Sequence, residues 1–78
     1  MNRYSISIAV HNRIGVLNRV TAVFRRLQIN INLLALENAD NTEFANIIFG
    51  FSCSAENQKL LVDRLEKIYD VCSISEIY

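Results

Sequence analysis

The sequence predicts an α+β fold of order β-α-β-β-α-β, with four antiparallel strands in one sheet and two helices on one of its faces. Three observations predict it. Apolar residues alternate with period two from Arg3 to Val10, then recur at three- and four-residue spacing from Val16 to Leu27. The same change from strand to helix recurs after Cys53, and no stretch of the 78 residues is left over. The chain therefore reads as one domain over residues 1–78.

In the first element Tyr4, Ile6, Ile8 and Val10 share one side of a strand, and Ser5, Ser7 and Ala9 share the other. The polar stretch His11-Asn12-Arg13 ends it. Val16, Leu17, Val20, Val23, Phe24 and Leu27 then form the apolar stripe of a helix ending near Gln28, with Arg19, Arg25 and Arg26 toward solvent. From Ile29 to Glu37 the pattern is strand-like, with Ile29, Ile31 and Leu33 on one face and Leu34 and Leu36 on the other. Residues Asn38 to Thr42 are a turn cluster. The third strand runs from Glu43 to about Cys53, with Ala45, Ile47, Phe49 and Phe51 on a shared face. Ser54 is placed to cap a second helix with Glu56 in its first turn, and that helix turns Leu60, Leu61, Leu65 and Ile68 inward before ending near Tyr69. Val71 to Tyr78 is the last strand. Helices after the first and third strands give the split β-α-β, ferredoxin-like sandwich.

Composition narrows the function. A chain this short sits near the lower limit for a self-sufficient core, and small domains usually add a staple. Two cysteines without a secretion signal are not a disulfide framework, so association with another chain is the expected compensation. The strand from Ile29 lies at a sheet edge in this topology. Its apolar residues on both faces suit pairing with a second copy, or else Leu34 and Leu36 pack under a loop. Eight basic residues balance eight acidic ones, which gives no basic stripe for nucleic acid or an anionic membrane. No apolar run reaches membrane-spanning length, and the N-terminus lacks a signal peptide's apolar stretch, so a cytoplasmic soluble protein is expected.

The first loop holds the most informative residues. Asn12-Arg13-Ile14-Gly15-Val16-Leu17 joins a strand to a helix N-terminus, where unpaired N–H groups and the helix dipole favour a carboxylate. Gly15 lets a ligand approach the backbone, and Asn12 offers a donor and an acceptor, as an α-amino acid requires. Equally, Asn12 can cap the helix and Gly15 relieve packing. Asn30 and Asn32 interrupt an apolar segment, either as turn residues or as ligand contacts. Pairing through this edge would bring Asn30 of one chain toward the first loop of the other.

The spacing Asn12-x-x-Gly15-x-Leu17 after a strand, followed by a helix and then Leu27-Gln28-Ile29-Asn30-Ile31, resembles the ACT domain. Within that family it is similar to the regulatory small subunits of acetolactate synthases, thiamine-dependent enzymes that begin branched-chain amino-acid synthesis. The similarity extends to Asp70-Val71 and Ser75-Glu76 in the last strand. The resemblance implies a non-catalytic, homodimeric regulatory chain. Asn12, Gly15 and Val16 would bind the charged end of an effector, and Asn30 and Ile31 of the partner chain would complete the site. The implied effector is valine or another branched-chain amino acid. The implied partner is a large catalytic subunit, which would hold the thiamine diphosphate, magnesium and FAD, with none on this chain. Ile14 stands where many relatives have a small residue or proline, and His11 where an acidic residue is common. A free-standing amino-acid sensor, or an oligomerisation module for a different enzyme or transcriptional regulator, is the alternative.

Other chemistries fit the residues poorly. Cys53 and Cys72 are too far apart in sequence for a metal-chaperone loop and suit core or edge positions. His11 is the only histidine, so one chain cannot assemble a histidine metal cluster or dyad. Asp63 and Glu66 belong to a solvated helix face with Arg64 and Lys67. Phe49-Gly50-Phe51 faintly echoes the stacking strand of RNA-recognition modules, but Ile47 and Ile48 beside it and the zero net charge mark these rings as core.

Overall fold

The computed structural model describes residues 1–37 and 43–77; the turn cluster expected at 38–42 lies outside the described residues. The elements are β1 (Asn2–His11), α1 (Val16–Arg26), β2 (Asn30–Glu37), β3 (Phe44–Cys53), α2 (Ala55–Glu66) and β4 (Val71–Glu76). The order expected from the sequence is the order observed. The sheet runs β2-β3-β1-β4, every neighbour antiparallel, so β1 and β2 run parallel to each other with β3 between them.

The core lies between the sheet and the helices. Ile6, Ile8 and Val10 of β1 and Ala45, Ile47, Phe49 and Phe51 of β3 meet Val20, Val23 and Phe24 of α1 and Leu61 and Leu65 of α2, all buried. Phe24 packs on Phe49 at 4.7 Å between ring centroids and edge-on to Phe51 at 5.4 Å. Each such buried side chain contributes about 1.5–3 kcal/mol. The rings of Phe49 and Phe51 are thus spent inside the molecule and form no platform for bases. Gln58 is buried on α2 and donates to Glu76, which ties α2 to β4.

α1 stops two residues before the expected end. Gln28 takes φ 57°, its N–H donates to Arg25 O at 3.0 Å, and the Ile29 N–H donates to Phe24 O at 2.9 Å. That pair of bonds is a Schellman motif, with buried Ile29 covering the helix end beside Phe24. Leu60 is exposed rather than inward, because Leu61 beside it takes the inner position and adjacent helical residues point about 100° apart. Leu17 likewise lies at the boundary of its stripe and is exposed.

β2 departs most from the expected pattern. The register against β3 shifts between Ile31 and Leu33, so Ile31, Leu34 and Leu36 stand opposite Phe51, Phe49 and Ile47, while Leu33 and Ala35 stand opposite Gly50 and Ile48. A bulge of one residue reverses the faces of everything after it. Leu34 and Leu36 therefore join Ile31 on the helix side, and Leu33 moves to the open face. There the missing Cβ of Gly50 makes room: a Cβ at that position would lie 3.1 Å from Leu33 Cβ. Asn32 pins the bulge by donating from Nδ2 to Ser52 Oγ at 3.1 Å. No helix among the described residues is long and apolar enough to cross a membrane.

Candidate effector site at the start of the first helix

Gly15, with φ 84° and ψ −3°, occupies the N-cap position of α1. The N-cap residue is thus Gly15 rather than Asn12, which sits three residues earlier, exposed, with its backbone N–H donating to Glu43 O at 2.8 Å. A left-handed residue at this point turns the chain sharply from β1 into α1, a conformation that glycine adopts without penalty. Val16 is buried and its N–H reaches Arg13 O at 3.2 Å. The next amides, of Leu17 and Asn18, belong to the helix turn that has no intrahelical acceptors. The first turn of α1 contains no acidic residue.

Under this loop lies a carboxylate. Asp70, at the entry to β4, is 4% exposed, and its carbonyl accepts from His11 N–H at 2.8 Å. Arg19 donates to its Oδ2 from Nη2, and Arg13 Nε and His11 Nδ1 each lie 3.6 Å from its Oδ1. Asp70 Oδ1 and His11 Nδ1 are buried with no hydrogen-bond partner. The Arg13 guanidinium also lies over the Tyr69 ring at 5.6 Å. Arg19 does more than face solvent. Its Nη1 would lie 3.4 Å from a Cβ on Gly15, so Asp70 holds the guanidinium directly over the loop glycine. Arg13 and Arg19 meet Asp70 at the positive end of the helix dipole, and Glu43 lines the cleft beside them. The uncapped first turn of α1 favours an anionic group.

Asn12, Gly15 and Val16 lie together in this loop, and Asp70, Arg13 and Arg19, which join them there, were not singled out from the sequence. Asp70 offered one signal, a lone carboxylate in the run Ile68-Tyr69-Asp70-Val71-Cys72. A cleft of about 460 Å³ opens beside the loop, lined by His11, Asn12, Arg13, Glu43 and Phe44. Asn30 and Ile31 are not there. His11 pairs with Phe44 at one end of β3 and Asn30 with Ser52 at the other, a separation of about 27 Å along the strand. Asn30 is exposed and Ile31 half-buried against the core. One chain therefore contains two halves of a candidate site at opposite ends of its sheet.

Residues 6–73 match the AHAS small subunit-like ACT domain family. The chain belongs to this family. The acetolactate synthase small subunit of Bacillus subtilis (strain 168) is 32% identical over 73 residues, covering 92% of this chain and 42% of that protein. Among solved structures, the acetolactate synthase small subunit of Thermotoga maritima superposes with a TM-score of 0.85 at 17% identity, over 97% of this chain and 47% of that one. The ACT domain of GTP pyrophosphokinase from Chlorobium tepidum does so with a TM-score of 0.75 at 24% identity, over 96% of both chains. The ACT domain described here thus spans less than half the length of the two small subunits it matches.

Proposed function

We propose that this ACT domain is a non-catalytic regulatory module that binds a branched-chain amino acid, of the size of valine, between two copies and acts on the catalytic subunit of an acetolactate synthase. The observation that supports it is the first loop: an α1 start on Gly15 with no side-chain cap and no acid in its first turn, and with the Arg19 guanidinium held over it by Asp70. The effector carboxylate meets the open first-turn amides beside Gly15 and Val16 and the Arg19 guanidinium, Asn12 takes the polar end of the amino acid, and its apolar side chain rests on Ile31 of the second copy.

The sheet geometry supports the two-copy site. β1 and β2 run parallel, so the first loop lies at the end of the sheet where β2 finishes. A two-fold antiparallel pairing of β2 edges reverses the second strand and brings its start, with Asn30 and Ile31, to that same end. Such an effector regulates only by binding one state of the complex better than another, which is worth about 1–3 kcal/mol of coupling. Thiamine diphosphate, magnesium and flavin belong on the catalytic subunit in this reading, and this chain holds none of them.

Isothermal titration of the purified chain tests the reading. Saturable binding of valine, leucine or isoleucine at one or two per dimer, with none of aspartate, is expected. An Asn12→Ala chain that keeps its fold is expected to bind at least tenfold more weakly. Binding of none of the three removes the sensor. Failure to copurify with a large acetolactate synthase subunit removes that partner and leaves the sensor standing.

A further inference from the structure

The proposed pairing of two β2 edges leaves their register open, and register decides whether the two half-sites meet. We infer that the two-fold axis passes through Ala35, so that Ala35 faces its own copy, Leu34 pairs with Leu36 of the second chain, and Leu33 with its Glu37. The inference rests on the two-copy reading above and adds the alignment that the reading lacks.

Two observations select this register, the second through the Asn30 contact of that reading. The first is apolar surface. Leu33, Leu34 and Leu36 are 55%, 47% and 56% exposed, an apolar edge with an unused hydrogen-bonding side. The other sheet edge is unlike it, since β4 presents Cys72, Ser73, Ser75 and Glu76 as its exposed residues. A two-fold axis perpendicular to a sheet must pass midway between one residue and its own copy, because paired side chains share a face. Within the regular stretch after the bulge the central choices are Leu34, Ala35 and Leu36. Only Ala35 sets leucine against leucine twice, on the helix side, where Phe49 and Ile47 already form the adjoining apolar row. An axis at Leu34 would bring Leu36 against Asn32, inside the bulge.

The second observation is distance along the strand. Ala35 is level with Ile48 and Asn30 with Ser52, four residues away on β3. Reflection through an axis at Ala35 carries Asn30 of the second copy four residues the other way, to the level of Phe44. Phe44 is the residue that pairs with His11, the last residue of β1 before Asn12. The same reflection sets Ile31 of the second copy level with Ala45 and Val10. An axis at Leu34 would stop Asn30 at the level of Ala9, inside the sheet and short of the loop. The register that buries the leucines is also the one that brings Asn30 level with the first loop.

Single-cysteine crosslinking in a Cys72→Ser background tests this. Cys53 can stay, because it is buried and burial raises its thiol pKa, which keeps it unreactive. At the axis Ala35→Cys thiols belong to residues whose Cα atoms are about 4.5–5.5 Å apart, within disulfide range. Leu34→Cys and Leu36→Cys each face their own copies at about 8 Å, beyond it, yet should join each other when mixed. We expect dimer-sized product under mild oxidation from Ala35→Cys alone and from the Leu34→Cys plus Leu36→Cys mixture, with little from either of those alone. The mixture reads the same register if Ala35→Cys fails to fold. Self-crosslinking of Leu34→Cys or Leu36→Cys overturns the register and leaves the edge dimer intact. A dimer by light scattering that crosslinks at none of these positions overturns the edge, and a monomer overturns the two-copy reading itself.

Discussion

The two helices of this domain begin in opposite ways. Ser54 precedes α2 in extended conformation, its Oγ accepts the Asn57 N–H at 3.2 Å, and Glu56 lies in the first turn. Every feature offsets the exposed amides and the positive end of the dipole from within the helix's own sequence. α1 begins on left-handed Gly15, with no capping side chain and no acid in its first turn, and with arginines at 13 and 19 around it. Its compensating charge is Asp70, 51 residues from Arg19 and buried beneath the loop. A start that is satisfied locally holds a helix in place. One satisfied only from below keeps its upper side open to an anion.

The contrast is sharpest at Asp70. Asp70→Asn removes the buried carboxylate under the loop and leaves Arg13 and Arg19 facing a neutral amide. The two guanidinium side chains are 59% and 51% exposed and can turn to water, so the cost falls below that of stranding a fully buried charge. A loss of about 2 kcal/mol is expected, seen as a lower urea midpoint at unchanged m. A double-mutant cycle with Arg19→Met should return a coupling of about 1 kcal/mol or more, since the two residues are in direct contact. A coupling near zero would mean that Asp70 does not hold Arg19, and the likeness of α1 to an ordinary uncapped helix would be complete.

Gly15→Ala acts on the backbone of the same start. At φ 84° an alanine costs about 1–2 kcal/mol, and its methyl would sit 3.4 Å from Arg19 Nη1, against the guanidinium. Stability should fall by that amount, and binding of valine should be lost altogether, because the methyl covers the surface on which the carboxylate docks. Unchanged valine affinity in a folded Gly15→Ala chain would show that the ligand does not approach the backbone there.

How much of this was legible in the sequence follows from how local each cause is. The six elements were legible because each buries its own stripe at its own period. Gly15 and Asn12 were legible because a loop between a strand and a helix is defined by neighbours in the chain. The faces of Leu33, Leu34 and Leu36 were read the wrong way round, since a bulge is fixed by Asn32 reaching Ser52 on the next strand, and alternation alone does not reveal it. Arg19 was read as a solvent residue from its place on the helical wheel. The wheel gives where the Cβ points, and a long side chain returned its guanidinium to a carboxylate that only the tertiary fold brings near. Asn30 was legible as a site residue only through the edge-pairing argument and the family resemblance, because its counterpart stands at the far end of its own sheet.

The mildest test falls on the other helix. Ser54→Ala removes the side-chain acceptor of the Asn57 amide while leaving Glu56 and the core beneath α2 in place. The bond is exposed, so water can replace part of it, and the expected cost is about 1 kcal/mol in thermal or urea unfolding. Valine affinity should stay within twofold of the parent chain, since nothing at the start of α2 belongs to the proposed site. A matching loss of valine binding would show that α2 and the first loop are coupled through the shared core, and that the two helix starts are less independent than their chemistry suggests. Stability lost at Ser54 with binding kept, beside binding lost at Gly15, would separate a helix start built for the fold from one left open for a ligand.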